Sequence, residues 1–276
     1  MDKLLVTLAA SLLIFVSANA QDRVISENER LSLRDQAYVF FVHSQPRYLL
    51  RDVISNASVR VMDFANSRQI QSIGVVNGFH NRYFAQHYRD GIVADPSYFW
   101  LDRVDRFMES RGGQHRLQFT NARDFVIGGG MLTHCLCEFL RDVLRSASIA
   151  RSSYLRLILV TDAIYDMSVF GDRNMQAFID LRGASELNRI IQERVVGQGG
   201  QRFCPQQNNF DFDRIFGFNY NVRVFLGDQK IGENSSVLSN APQIDIVAIA
   251  SNDLFSLFPM STVGRPTEQR SLEPAR

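Results

Sequence analysis

The side chains best suited to chemistry gather in the stretch FVIGGGMLTHCLCEFLRDVL, Phe125 to Leu144. An apolar run meets three glycines, then Thr133, His134 and Cys135, and an amphipathic segment follows. A strand that feeds a glycine-rich turn into a helix leaves backbone N–H groups free where the helix begins. A cysteine there feels the positive end of the helix dipole, which lowers its pKa and favours the thiolate. The same N–H groups can hold the oxyanion of a tetrahedral intermediate. Cys135 is therefore a candidate nucleophile, although a small cysteine at such a turn serves equally as a packing residue.

The elements that must position it are legible as an alternation. AYVFFVHSQ (37–45) is an apolar run ending in polar residues, the pattern of a strand covered on both faces. QSIGVVNGF (71–79) reads as a second strand and GIVADP (91–96) as a short third. YFWLDRVDRFMESRG is expected to be a helix, with Phe99, Leu101, Val104, Phe107 and Met108 apolar and Gly112 past its end. DFVIGG is a strand, and Leu136, Phe139, Leu140, Val143 and Leu144 then share one helical face. YLRLILVTDA (154–163) is the clearest buried strand, and a helical region runs over 175–196.

Strands alternating with helices predict an α/β fold, a three-layer α/β/α arrangement around a mostly parallel sheet. Such sheets bind ligands beyond the carboxyl ends of their strands. His43, Asp95, the Gly128–Gly130 turn and Asp162 all fall at or just past strand ends, so one topology can bring them to one rim. From Gly197 the character changes: a loop-like stretch, a hairpin turning at Gly227-Asp228, then the strand QIDIVAIAS. We read residues 201–258 as a C-terminal β extension of the same domain, whose body is 21–200. The tail 259–276 lacks apolar periodicity and is expected to be disordered.

At 276 residues and 45% hydrophobic, the chain can bury one large core, and no linker-like stretch divides it. A net charge of +1 offers no nucleic-acid footprint. MDKLLVTLAASLLIFVSANAQD carries Lys3, an apolar run and Ala18-Asn19-Ala20, the form of a signal peptide cleaved after residue 20. The expectation is a mature protein exported to the periplasm or cell exterior, with no membrane association after cleavage. The cysteines are Cys135, Cys137 and Cys204. A Cys135–Cys137 bridge would close too small a ring, and a Cys137–Cys204 bridge is compatible with the sequence. Acceptor sequons for N-glycosylation stand at Asn56 and Asn234 and matter only in a eukaryotic secretory pathway. Of the basic residues, 28 are arginine and two are lysine, Lys3 and Lys230.

With its next strand, LRLILVTDAIYD, the Cys135 segment resembles the core of the isochorismatase-like cysteine hydrolases, which include nicotinamidases. Gly129 lies six residues before Cys135, Leu136 takes the place of the family's valine, and Asp162-Ala163 closes the strand. YVFFVHSQPRYLL is similar to the family's opening strand, with Gln45 retained. The resemblance covers roughly residues 38–166, with poor continuity over 55–91. It implies that Cys135 carries the nucleophile, that His43 stands where the family has its catalytic Asp, and that Asp95 stands where it has its Lys. Lys230 lies far downstream, so the family's Asp–Lys–Cys triad is excluded. Two expectations follow. In one, His43 deprotonates the thiol and Asp95 orients the imidazole, with Met131 and Cys135 N–H groups as oxyanion hole, for attack on an amide or related carbonyl. In the other, the cleft is catalytically inactive and binds a small-molecule ligand or a partner.

Other candidates read more plainly. His80 and His87 sit in NGFHNRYFAQH, where GFH faintly resembles a nicotinamidase metal motif, but Gly78 stands in place of its carboxylate. One placed histidine is no metal site. No cofactor and no metal are expected. His134 neighbours the cysteine but points to a different side of the helix start. Asp162 reads as a turn or cap after its strand. A homo-oligomer is compatible with the sequence.

Overall fold

Long apolar runs without alternation become the central strands here, because a strand covered on both faces has no solvent side to make polar. The computed structural model describes residues 31–33, 36–43, 52–77, 103–110, 117–132, 134–150, 153–166, 173–196, 220–234 and 241–258. In chain order the elements are β1 (Leu31–Leu33), β2 (Ala37–Val42), α1 (Asp52–Arg68), β3 (Gln71–Asn77), β4 (Arg106–Ser110), β5 (Leu117–Phe119) and β6 (Asp124–Gly129). There follow α2 (Cys135–Ala150), β7 (Tyr154–Val160), β8 (Tyr165–Asp166), β9 (Arg173–Asn174), α3 (Met175–Arg182) and α4 (Ala184–Ile190). A π-helical turn, Ile191–Val196, precedes β10 (Asn221–Leu226), β11 (Gln229–Glu233), β12 (Gln243–Ile249) and α5 (Leu254–Leu257).

Among the described residues, eight strands form one sheet in the order β11-β10-β12-β7-β6-β2-β3-β4. All neighbours are parallel except β10 and β11, the hairpin that turns at Gly227-Asp228 as the sequence predicts. The strands of the 201–258 region thus continue the same sheet through β12 and β7. Residues alternate between two clusters. Tyr38, Phe40 and Val42 of β2 join Phe125 and Ile127 of β6 and Leu136, Phe139, Leu140 and Val143 of α2. Val39 and Phe41 join Val126, Ile158 and the α1 residues Val61, Met62, Phe64 and Ala65. Burying this many leucines, valines and phenylalanines, at about 1.5–3 kcal/mol each, is what orders the strands.

Two expectations are corrected. The helix expected over YFWLDRVDRFMESRG is not helical at its end: residues 106–110 are the edge strand β4, paired with β3. Met108 and Phe107 pack on opposite sides of the sheet, so adjacent apolar residues read as helical spacing are strand alternation. The structure also adds α1, which the sequence pattern does not announce. This helix closes with Gln69 in the left-handed region (φ 54°), Ile70 N–H donating to Ala65 O at 2.9 Å. That is a Schellman closure built without the usual glycine. The helical region 175–196 divides at Gly183 (φ 87°) and ends in the π-helical turn. The signal peptide expected over 1–20, the strand expected over 91–96, His80, His87, Cys204 and the tail 259–276 lie outside the described residues.

Toward the amino ends of the strands a charge ladder crosses the sheet. Arg223 of β10, Asp245 of β12, Arg156 of β7 and Asp124 of β6 stand in consecutive register. Arg223 grips Asp245 with two bonds, 2.8 and 2.7 Å, and Arg156 Nε donates to Asp124 at 2.7 Å. Tyr154 and Gln243 add donors to Asp245 at 3.1 and 3.0 Å.

Candidate functional site at the strand switch point

Chain direction across the sheet reverses between β2 and β6. From β2 the chain moves outward through α1 to β3 and β4, and from β6 it moves the other way through α2 to β7. The crevice at the carboxyl ends of these two strands is where an open α/β sheet leaves room for a ligand. His43, residues 129–132 and Cys135 lie there, as the strand-end positions predict.

β6 leaves the sheet through Gly129 (φ 74°) and Gly130 (φ 75°), both left-handed. A side chain at Gly130 would lie 3.2 Å from Val42 Cγ1 and 3.3 Å from both Cβ and N of Leu136. The end of β2 and the start of α2 are thus pressed against that glycine, which fixes where the helix begins. Beyond it the backbone is tied down: Tyr165 N–H donates to Gly130 O at 3.2 Å and Leu132 N–H to Tyr165 O at 3.0 Å. Met131 O accepts the N–H groups of His134 and Leu136 at 3.0 and 3.1 Å.

Cys135 is the first residue of α2, carries a free thiol and keeps part of its surface exposed. It is not sealed in the core. Its ionisation, however, runs against the expectation from the helix dipole. Burial pushes the thiol up to about 11, and the Glu138 carboxylate one turn along adds to the rise. Two backbone hydrogen bonds, from Met131 and from Cys135 itself, pull the other way and are outweighed. Because both lower the pKa, both are donated to the sulfur. Glu138 is the influential residue that sequence reasoning missed, and its three-residue spacing from Cys135 is the signal that could have shown it.

His43 sits on the neighbouring strand end. Val42 stands in register with Gly129, and His43 N–H donates to Val75 O at 2.9 Å. The residue is buried, 3% exposed, with φ 43°. A non-glycine left-handed residue is uncommon, and such strain gathers at functional sites. Asp95 lies outside the described residues, so the structure brings together two of the three expected partners' strand ends and leaves the third unplaced. Asp162 is structural, as read: it accepts Ser251 N–H at 2.8 Å and Ser251 Oγ–H at 2.6 Å and pairs with Arg60 at 3.1 Å. Lys230 is on β11, paired with Glu233 at 3.0 Å. Four strand spacings, on the order of 19 Å, separate β11 from β6.

Cys137, two residues along α2, is buried and disulfide-bonded, with its sulfur 3.4 Å from Arg194 O. Compared with protein-family models, with curated proteins and with solved structures, the chain matches none.

Proposed function

We propose that the chain is an exported, isochorismatase-like α/β protein of the periplasm or cell exterior whose switch-point crevice binds a small-molecule ligand without turning it over. In this reading the domain is a three-layer α/β/α unit with β10–β12 as its C-terminal extension. The observation that carries it is the environment of Cys135. Burial at the start of α2 and the Glu138 carboxylate one turn along both hold the thiol in its protonated form at neutral pH. A nucleophile needs the reverse, a cation or a base that favours thiolate. The lysine that could serve is held across the sheet on β11.

A hydrolase is the second reading, favoured by the placement of Cys135 at the start of α2 beside the strand end that carries His43. There His43 takes the thiol proton, with Asp95 orienting it, and the thiolate adds to an amide or related carbonyl. Collapse of the adduct expels the amine and leaves an acyl thioester that water resolves. Incubation with p-nitrophenyl acetate at pH 7, followed by intact-mass analysis, separates the two. The binding reading predicts no acyl adduct at Cys135. A stoichiometric adduct, absent in Cys135→Ser, would establish the hydrolase instead.

A further inference from the structure

The two sequons have opposite structural circumstances. Asn56 lies on the solvent stripe of α1 with Asp63, Asn66 and Ser67, all exposed. An attachment at its amide would project away from the core. Asn234 is half-buried and its amide is tied into the fold: its Oδ1 accepts Val222 N–H at 2.9 Å, its Nδ2 donates to Tyr220 O at 2.6 Å, and its N–H donates to Val222 O at 3.0 Å. Tyr220 is buried, so a sugar on that amide would have to be housed against the core.

The hydroxyl of the first sequon adds an independent sign. Ser58 is fully buried, and its Oγ has no hydrogen-bond partner among the described residues. A buried, unmade hydrogen bond is a cost to the folded state, so the hydroxyl does nothing for the fold. It is, however, the group that the Asn-x-Ser acceptor pattern requires while the chain is still extended.

We propose that Asn56, and not Asn234, is an N-glycan acceptor when the chain passes through a eukaryotic secretory pathway; this rests on the export reading given above. The donor is an oligosaccharide carried on a polyisoprenyl pyrophosphate. Asn56 Nδ2 loses one proton and bonds the anomeric carbon. The bond from that carbon to the pyrophosphate oxygen breaks, and the lipid pyrophosphate leaves with the electron pair.

The test expresses the full chain in secretory eukaryotic cells under two leaders, its own residues 1–20 and a strong heterologous one. Peptide N-glycosidase treatment and peptide mass spectrometry then read conversion of asparagine to aspartate at each sequon. Under the heterologous leader, Asn56 is converted and Asn234 is not, and conversion is lost in Asn56→Gln and in Ser58→Ala. In the unglycosylated chain, Ser58→Ala raises Tm by roughly 2–4 °C, because it removes an unsatisfied buried hydroxyl. An unmodified Asn56 in the secreted protein, or a glycan on Asn234, overturns the proposal. Retention inside the cell under the native leader alone counts against the export reading, and the heterologous arm still decides the glycan.

Discussion

Toward the amino ends of β10, β12, β7 and β6, Arg223, Asp245, Arg156 and Asp124 alternate in sign, each meeting its opposite on the next strand. At the carboxyl ends of β2 and β6 the chemistry is the reverse. A thiol begins a helix with a carboxylate one turn away, a histidine occupies a left-handed backbone, and two successive glycines take conformations other residues avoid. One edge satisfies its charges and the other holds groups in conflict. Perturbed ionisable groups and backbone strain of that kind gather at functional sites more often than elsewhere in a fold. The ladder shows that the same sheet can neutralise its charges where nothing else is asked of it.

Breaking either edge tests the contrast. The largest effect is expected at Gly130→Ala, which adds left-handed strain to close approaches at Val42 and Leu136. We expect a loss of about 3–4 kcal/mol in urea unfolding. Asp245→Ala should follow at about 2–3 kcal/mol. It strips the acceptor from Arg223, Tyr154 and Gln243, but Arg223 is 42% exposed and recovers part of its hydration.

The third prediction concerns alkali. A thiol whose folded pKa lies above the unfolded value keeps its proton in the fold after the unfolded chain has lost it. Its contribution is intact below about pH 9 and is lost as pH rises toward about 11. Wild type should lose roughly 2 kcal/mol more than Cys135→Ala over that window, measured by unfolding at successive pH values. The smallest effect is expected at Glu138→Gln. It removes the lesser of the two raising influences, so the thiol pKa falls but stays above that of an ordinary cysteine.

Much of the fold could be read from the chain because β2, β6, β7 and β12 are apolar on both faces and α2 repeats its apolar residues on one face. What escaped did so for physical reasons. α1 places Asn56 and Ser58 in its second turn and ends on Gln69 rather than glycine, so neither its pattern nor its stop signal is strong. β4 is a charged edge strand whose neighbouring Phe107 and Met108 mimic helical spacing. β1 and β5 pair over three residues each, too few for any period to show. At the site, the strand–glycine–helix placement of Cys135 and the strand-end position of His43 were visible. The sense of the thiol's pKa was not, because it depends on how much water the packed helix start excludes.

The pH dependence of Cys135 alkylation by iodoacetamide, followed by peptide mass spectrometry, bears most directly on the central claim that the start of α2 holds a protonated thiol. We predict slow labelling at neutral pH that climbs only as pH approaches about 11, unchanged in His43→Ala. Rapid labelling with a midpoint below neutral pH, abolished by His43→Ala, would contradict it and make Cys135 the nucleophile of a working hydrolase.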